Sequence, residues 1–229
     1  LDAVIKYNES IKSKASDRSI SIPSPEPKAD QIRQIIQQCV QRGANPLLDE
    51  CLDLVKNLGI SLPDHEFVSD VDSLKRAYKR LTGNVALKVV ASGISHKSDR
   101  GGVRLNLVGE QSVTNSFSDM AAIFGVNPDE GLKGFIVQQM LSTQEGGLEL
   151  IVGAKRDAQF GPVVMLGHGG IFAEILGKTS IRLAPLTSNE IERMIESLPG
   201  SEILAGVRNR PGIDKGALRD VIARVAWLI

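Results

Sequence analysis

The chain of 229 residues has only two cysteines, Cys39 and Cys51, and no excess of charge of either sign. Both cysteines fall on segments of helical spacing. Two are too few for a disulfide framework, so the chain reads as belonging to a reducing compartment, and a cytoplasmic location is expected. No apolar run approaches the ~18 to 20 residues that cross a bilayer, and no secretory segment opens the chain, which predicts a soluble protein with no membrane partner. Lys+Arg number 27 and Asp+Glu number 27, a formal net charge of zero. Nothing global therefore points to nucleic acid or to an anionic surface, and any positive site is local. An initiating Met is lacking too: the chain opens at Leu1 inside a helical pattern (Leu1, Val4, Ile5, then Ile11) and reads as a piece of something longer. What is present is a 42% hydrophobic content, enough to bury a core in one two-lobed domain or two small ones.

Between Ser19 and Pro27 the run Ser-Ile-Ser-Ile-Pro-Ser-Pro-Glu-Pro predicts an extended linker with no packing face, and a domain boundary is placed there. Beyond it, Ile32, Ile35, Ile36, Cys39 and Val40 recur at helical spacing up to Gly43. Leu47, Leu48, Cys51, Leu52, Val55 and Leu58 repeat the pattern up to Gly59. A strand over 65–69, a helix over 70–81, a hairpin around Lys88, a helix over 113–123 and a strand over 134–140 then complete a small α+β lobe. The second half predicts strands over 148–155, 162–167 and 171–176. Thr187 and Glu190 form a capping box for a helix carrying Ile191, Met194, Ile195 and Leu198, and a last helix runs through Leu218, Val221, Ile222, Val225 and Leu228. The division expected is 1–30 (end of a preceding domain and linker), 31–142 (first lobe) and 143–229 (second lobe).

The most informative segment is Ile94-Ser95-His96-Lys97-Ser98-Asp99-Arg100-Gly101-Gly102-Val103, which joins Val85-Ala86-Leu87-Lys88-Val89-Val90-Ala91 to Val103-Arg104-Leu105-Asn106-Leu107. Alternation puts Val85, Leu87, Val89 and Ala91 on one face and Lys88 on the other, and sets Arg104 and Asn106 against Val103, Leu105 and Leu107. Gly101 and Gly102 can turn backbone N–H groups toward an anion, and Lys88 and Lys97 can neutralise it. The spacing is not that of a P-loop, whose glycines lead into a helix. An ordinary surface hairpin with a solvated histidine is the competing reading. Further on, Glu149, Ile151, Gly153 and Lys155 share one strand face, as a cross-strand ion pair or as functional groups. Glu174 is the only charge in Ile171–Leu176, held by a structural cation or by a metal ion that carries nucleotide phosphates. Arg182 is the lone cation between Ile181 and Leu183, and His168 reads as a satisfied loop side chain.

Taken together, VALKVVASGISHKSDRGGVRLNL, EGGLELIVGAKRDAQFGPVVMLGHGGIFAEILGKTSIRLAPL and GVRNRPG closely resemble the ATP-grasp region, or β subunit, of the ADP-forming acyl-CoA synthetases, the acetate–CoA ligases related to succinyl-CoA synthetase. The resemblance spans roughly residues 31–229, and residues 1–14 resemble the end of the ligase domain that precedes this module in single-chain members. It implies a two-lobed ATP-grasp fold, α+β in class, binding ATP or ADP with Mg²⁺ and transferring a phosphoryl group. His96 matches the histidine that carries phosphate between the distant acyl-CoA site and ADP. Lys88 and Lys97 would meet nucleotide phosphates under a flap containing Gly101 and Gly102, and Gln138, Gln139 and Met140 would form the hinge strand that holds adenine through its backbone. Glu174 matches a Mg²⁺ ligand, Arg182 a phosphate contact, and Glu149 and Lys155 would face the nucleotide cleft.

The partners implied are CoA-binding and ligase domains, on an α subunit or the same chain, in an oligomeric enzyme. Family members continue past the last helix into a strand bearing Asp-x-Asn-Pro that helps hold the metal, and this sequence stops before it. Two other readings stay open: an ATP-grasp regulatory module of a protein acetyltransferase, and a non-catalytic nucleotide-binding assembly module.

Overall fold

A computed structural model of the chain describes residues 20–21, 23–92, 100–125, 131–141, 147–170, 177, 179–206 and 211–229. His96, Lys97 and Glu174, with the strand expected over 171–176, lie outside the described residues. The chain divides into two compact units: Lys28–Ser142, and Thr143–Ile229 together with the described residues of the linker.

The first unit opens with helices α1 (Ala29–Gln41) and α2 (Leu48–Asn57). There follow β1 (His65–Val68), α3 (Val71–Arg80), β2 (Val85–Ala91), β3 (Val103–Leu107), α4 (Glu110–Phe124) and β4 (Leu132–Gln139). Asp70 starts α3 by accepting from the Ser73 N–H at 2.7 Å, which satisfies one of the donors a helix start leaves open. The strands form one antiparallel sheet in the order β1-β4-β2-β3.

The face of this sheet carrying Val85, Leu87, Val89, Ala91, Phe135 and Val137 packs on Leu74 and Ala77 of α3 and on Val113, Phe117, Met120 and Phe124 of α4. The rings of Phe117 and Phe135 are tilted, with centroids 4.7 Å apart. On the opposite face Leu47, Leu48 and Leu52 cover Val90 and Ile136. Strand β2 is thus buried on both faces, with Lys88 its single half-exposed residue.

One strand departs from the alternation expected of it. Val85 pairs with Leu107 but Leu87 pairs with Arg104, so Leu105 and Asn106 stand together opposite Ala86 as a β-bulge. Asn106 takes the left-handed conformation this needs, φ 56°, which asparagine tolerates better than most residues. The bulge turns Leu107 and Arg104 to the same side, where Leu107 enters the core and Arg104 donates to Asp119 of α4 at 3.0 Å. Arg104 and Leu107 thus share a side, whereas the alternation expected from sequence set them on opposite sides.

The second unit is an antiparallel sheet of β5 (Leu150–Asp157), β6 (Gly161–His168) and β7 (Thr179–Leu183), in that order. Its helices are α5 (Ser188–Glu196), a short 3₁₀ turn (Ser201–Ala205) and α6 (Lys215–Trp227). Thr187 and Glu190 make the expected capping box: Thr187 Oγ1 accepts from the Glu190 N–H at 3.3 Å and Glu190 Oε2 accepts from the Thr187 N–H at 2.8 Å. One sheet face is covered by these helices. Leu150, Val152, Val164 and Leu166 pack on Ile191, Met194 and Ile195 of α5 and on Leu218 and Ile222 of α6.

The linker, expected to have no packing face, is bound to this unit. Ile20 bridges to Thr187, the Ser21 N–H donates to the Leu186 carbonyl at 2.9 Å, and Pro23 and Pro27 are buried. The guanidinium of Arg224, itself buried, donates to the Pro25 and Ser24 carbonyls at 3.0 Å each and to Asp220 at 2.6 Å. Proline and serine gave no hydrophobic period to read, and the arginine that pins them is some 200 residues away.

The bulge gives a direct test. Asn106→Val puts a β-branched side chain at positive φ and is expected to destabilise the unit by about 1 to 2 kcal/mol, whereas Asn106→Gly should cost little. Urea unfolding of the two variants decides between this geometry and a regular β2–β3 pair, in which valine would be the better tolerated.

Candidate functional site

In the first unit the site is built on Lys88, whose strand leaves its side chain on the face shared by Ala86, Val90, Ile136 and Gln138. Burial pulls the Lys88 ammonium below the usual lysine value, because a charge loses hydration there. Its partner is neutral: Nζ donates to Gln138 Oε1 at 2.6 Å. Among the described residues it makes no ion pair. The hairpin that carries the glycines is stitched to the strand beside it, Lys88 pairing with Val103 and the Val89 N–H donating to the Gly102 carbonyl at 2.9 Å. Gly101 sits at φ 74° in open space, so backbone conformation rather than crowding is what asks for glycine there.

The three residues expected to read adenine through their backbone lie at the end of β4, where part of that backbone is already committed. The Gln139 N–H donates to the Asp64 carbonyl at 2.8 Å and the Met140 N–H to the Asn84 carbonyl at 2.9 Å. Met140 Sδ accepts from the Asn106 N–H at 3.0 Å, and Gln139 Nε2 donates to Thr82 Oγ1 at 2.8 Å. The contact at Lys88 that the sequence did not reveal is that of the Gln138 side chain, since its signal is the register of β2 against β4.

In the second unit the structure separates the candidates. Ala154 pairs with Val164 and Val164 with Arg182, which puts Arg182 on the helix-covered face. Glu149, Ile151, Gly153 and Lys155 alternate to the other. Arg182 is engaged there, donating to the Ile181 carbonyl at 2.7 Å, to Ser197 Oγ at 3.0 Å and to the Arg193 carbonyl at 3.4 Å. It thus fastens β7 to the end of α5.

On the open face Lys155 pairs with Asp157 at 3.5 Å. Asp157 is held below the usual carboxylate range first by the N–H groups of Gln159 and Phe160, with Lys155 adding to them. Six residues of strand, roughly 20 Å, separate Lys155 from Glu149, and the pair that Lys155 makes among the described residues lies within its own strand rather than across strands. Glu149 lies instead against the glycine pair that ends β6: its carbonyl accepts from the Gly169 N–H at 2.7 Å, and a Cβ on Gly170 would come within 2.9 Å of its carboxylate. His168 is buried and its Nε2 meets the Pro199 carbonyl at 2.8 Å. A carbonyl only accepts, so Nε2 carries the proton in that bond and the side chain serves as a tie. Ile151 and Ile181 are 45% and 53% exposed on the open face, an apolar surface with Glu149 at one end and Lys155 toward the other.

Among the described residues no group of three or more His, Cys, Asp or Glu could hold a metal ion, and no helix is long and apolar enough to cross a membrane.

Comparison with known proteins gives these two sheets a lineage. Residues 38–229 match the ATP-grasp domain family, and the chain belongs to it. Within that family it matches the part found as the β subunit of ADP-forming acetate–CoA ligases. It is 34% identical over 197 residues to the Pyrococcus furiosus acetate–CoA ligase [ADP-forming] I subunit beta, covering 86% of this chain and 84% of that one. It is 35% identical over 200 residues to the Archaeoglobus fulgidus acetate–CoA ligase [ADP-forming] I, 87% of this chain but only 29% of the relative's length. The acetyl-coenzyme A synthetase 1 of Ca. Korarchaeum cryptofilum, solved with coenzyme A and Ca-AMPCP, superposes with a TM-score of 0.77 at 30% identity over 86% of this chain and 85% of that one. The same enzyme with Mg-AMPPCP, its phosphohistidine segment pointing towards the nucleotide-binding site, gives 0.69 at 28% identity over 86% of this chain and 84% of that one. An ATP-grasp domain is a nucleotide-binding module, and the match spans both units.

Arg182 supplies the prediction here. Arg182→Met removes the bonds to the end of α5 and is expected to lower stability by about 1 to 2 kcal/mol, read as a shifted urea midpoint. An unchanged midpoint would remove the structural role and release the guanidinium for a ligand.

Proposed function

We propose that this chain is the nucleotide-binding and phosphoryl-transfer part of an ADP-forming acyl-CoA synthetase, an enzyme that converts acyl-CoA, ADP and phosphate to free acid, CoA and ATP. The observation that carries the reading is Lys88: a half-buried ammonium, set beside a glycine hairpin, whose described partner is an amide and not a carboxylate. A cation placed so is incompletely compensated by the protein, and an anionic ligand supplies what is missing. Phosphoryl transfer asks chiefly for positioned positive charge around the moving group, and a nucleotide's phosphates are suitable ligands. The similarity to acetate–CoA ligases over most of the chain supports the choice of reaction.

In this reading His96 is the phosphate carrier. A neutral imidazole nitrogen attacks the γ-phosphorus of ATP, the bond to the β–γ bridging oxygen breaks, ADP leaves, and the imidazole loses its proton; the reverse step makes ATP. Lys88 and Lys97 draw charge from the phosphoryl oxygens, and Gly101 and Gly102 close over them. In the second unit Glu149 and Lys155 are further nucleotide contacts. The base is read at the end of β4 by the backbone beyond Gln138; with the N–H groups of Gln139 and Met140 in use, Leu141 supplies the next donor. Glu174 would be one of the one or two carboxylates that hold Mg²⁺, which would supply charge neutralisation at the phosphates. The acid and CoA are bound by other domains, on a partner subunit or elsewhere in a longer chain, within a cytoplasmic oligomer.

Two measurements test this. Calorimetry with Mg-ADP should show binding that Lys88→Ala weakens at least about tenfold. Because burial lowers the Lys88 pKa, the competent ammonium is present at neutral pH and is lost as pH rises, so affinity should decline at a pH below the ordinary lysine value of 10.5. No binding, or an unaffected variant, counts against the site. Separately, incubation with Mg-ATP labelled at the γ-phosphate should leave acid-labile, alkali-stable phosphate on the protein, and His96→Ala should abolish it without loss of Mg-ADP binding. Equal labelling of that variant would rule out the carrier.

A further inference from the structure

The pairing of β2 with β4 sets Gln138 directly opposite Ala86 and Lys88 opposite Ile136, so Gln138 and Lys88 are diagonal neighbours on one sheet face. Diagonal Cβ atoms in an antiparallel pair are about 7 to 8 Å apart, within reach of two long side chains when nothing bulky stands between them. Ala86, buried and reduced to a methyl group, leaves that path open. Gln138 is itself only 8% exposed, so its amide is confined, and the acceptor must be the carbonyl oxygen because an ammonium only donates.

We propose that Gln138 is the positioning residue for Lys88: its side-chain oxygen fixes the ammonium in place to meet an anionic ligand, without cancelling its charge. The role rests on the nucleotide-binding reading above, where Lys88 meets phosphate oxygens. It differs from the backbone duty expected of residues 138–140, since it belongs to the side chain and acts through Lys88.

Glutamine suits the task where glutamate would not. A carboxylate at 138 would form an ion pair with Lys88, hold its charge and compete with the incoming phosphate. An apolar side chain of equal length would leave a half-buried ammonium without its acceptor, and the charged form would become harder to maintain. The amide lies between these: one of three ammonium protons is engaged, and two remain for a ligand. Other ionisable groups on this face or on the helix over it are His65, which pairs with Gln138 across β1, and Asp49, Glu50, Cys51, Asp53 and Lys56 of α2. Glu50 is taken by Arg42 through bonds of 2.7 and 2.5 Å and also feels Lys133. None of them is an ion-pair partner of Lys88.

The test compares Gln138→Met, Gln138→Glu and Lys88→Met in the full chain, with the Lys88 side chain followed by NMR through a pH titration in the absence of nucleotide. Gln138→Met is expected to lower the Lys88 titration midpoint and Gln138→Glu to raise it. Both are expected to weaken Mg-ADP binding, by about tenfold for the methionine variant. Opposite movement of the midpoint with the same movement of affinity is a signature that loss of packing alone does not produce. The double variant Lys88→Met/Gln138→Met should bind no more weakly than Lys88→Met. An unmoved midpoint in Gln138→Met, or undiminished affinity there while Lys88→Met is impaired, overturns the role of Gln138 and leaves the nucleotide site standing. Failure of the unmodified chain to bind Mg-ADP removes the nucleotide reading and this role with it, whatever the midpoints do.

Discussion

A single ammonium in a strand buried on both faces is the constraint on which the first unit turns. Leu87 and Val89 are held by α3 and α4, Val90 by α2, and Ala86 by its neighbours, so β2 must be an interior strand and its two partners, β4 and β3, must flank it. Lys88 then has to be accommodated within a layer that excludes water from everything around it. Taking a charge out of water is costly unless hydrogen bonds or an opposite charge replace the hydration. Among the described residues the fold supplies one acceptor, the Gln138 side-chain oxygen, and no counter-charge. Helix α2 covers the Val90 end of this face and leaves the lysine half-exposed, with the glycine hairpin rooted beside it.

The second unit solves a different problem with the same kind of sheet. Three antiparallel strands pack one face on two helices, and on the other face Ile151 and Ile181 are exposed among the described residues, which is unusual for such a surface. Antiparallel sheets commonly solvate one face with polar residues. Here the alternation is apolar on both sides, with Glu149 and Lys155 marking the margins of the open one. A planar, partly apolar ligand with a charged tail matches that distribution better than water does. The close approach of Gly169 and Gly170 to Glu149 also explains why the turn after β6 uses consecutive glycines.

The periodicity of Ile32 to Val40, the Thr187–Glu190 capping box and the alternation that isolates Lys88 were all legible in the sequence, because each depends on residues within a few positions of one another. What was not legible depends on distant partners. Alternation through Val103–Leu107 failed at Asn106, since a bulge is set by the strand opposite and leaves no local mark. The proline-rich linker looked unattached because its anchor, Arg224, lies on the last helix. Lys155 found Asp157 two residues along its own strand where a cross-strand pair was one of the two readings, and the bonds that turn Arg182 to the end of α5 come from residues 11 and 15 positions away. The register that joins Gln138 to Lys88 spans 50 residues and includes the whole glycine hairpin.

Sorting the cations by what already holds them shows why the site centres where it does. Arg182 has two carbonyls and a hydroxyl around its guanidinium, so binding a phosphate there would first require breaking a fastening of β7 to α5. Lys155 is mostly exposed and paired with Asp157. Such pairs are worth little in water, so it can be recruited by a phosphate but gains little from desolvation. Lys88 alone of the three is partly removed from water with a single hydrogen-bond acceptor and no counter-charge among the described residues. An anion reaching it recovers electrostatic energy that the fold has already forgone, and the interaction is strengthened by the same low-dielectric surroundings that made the bare charge costly. Binding affinity at such a site is therefore stored in the folding of β2, before any ligand arrives.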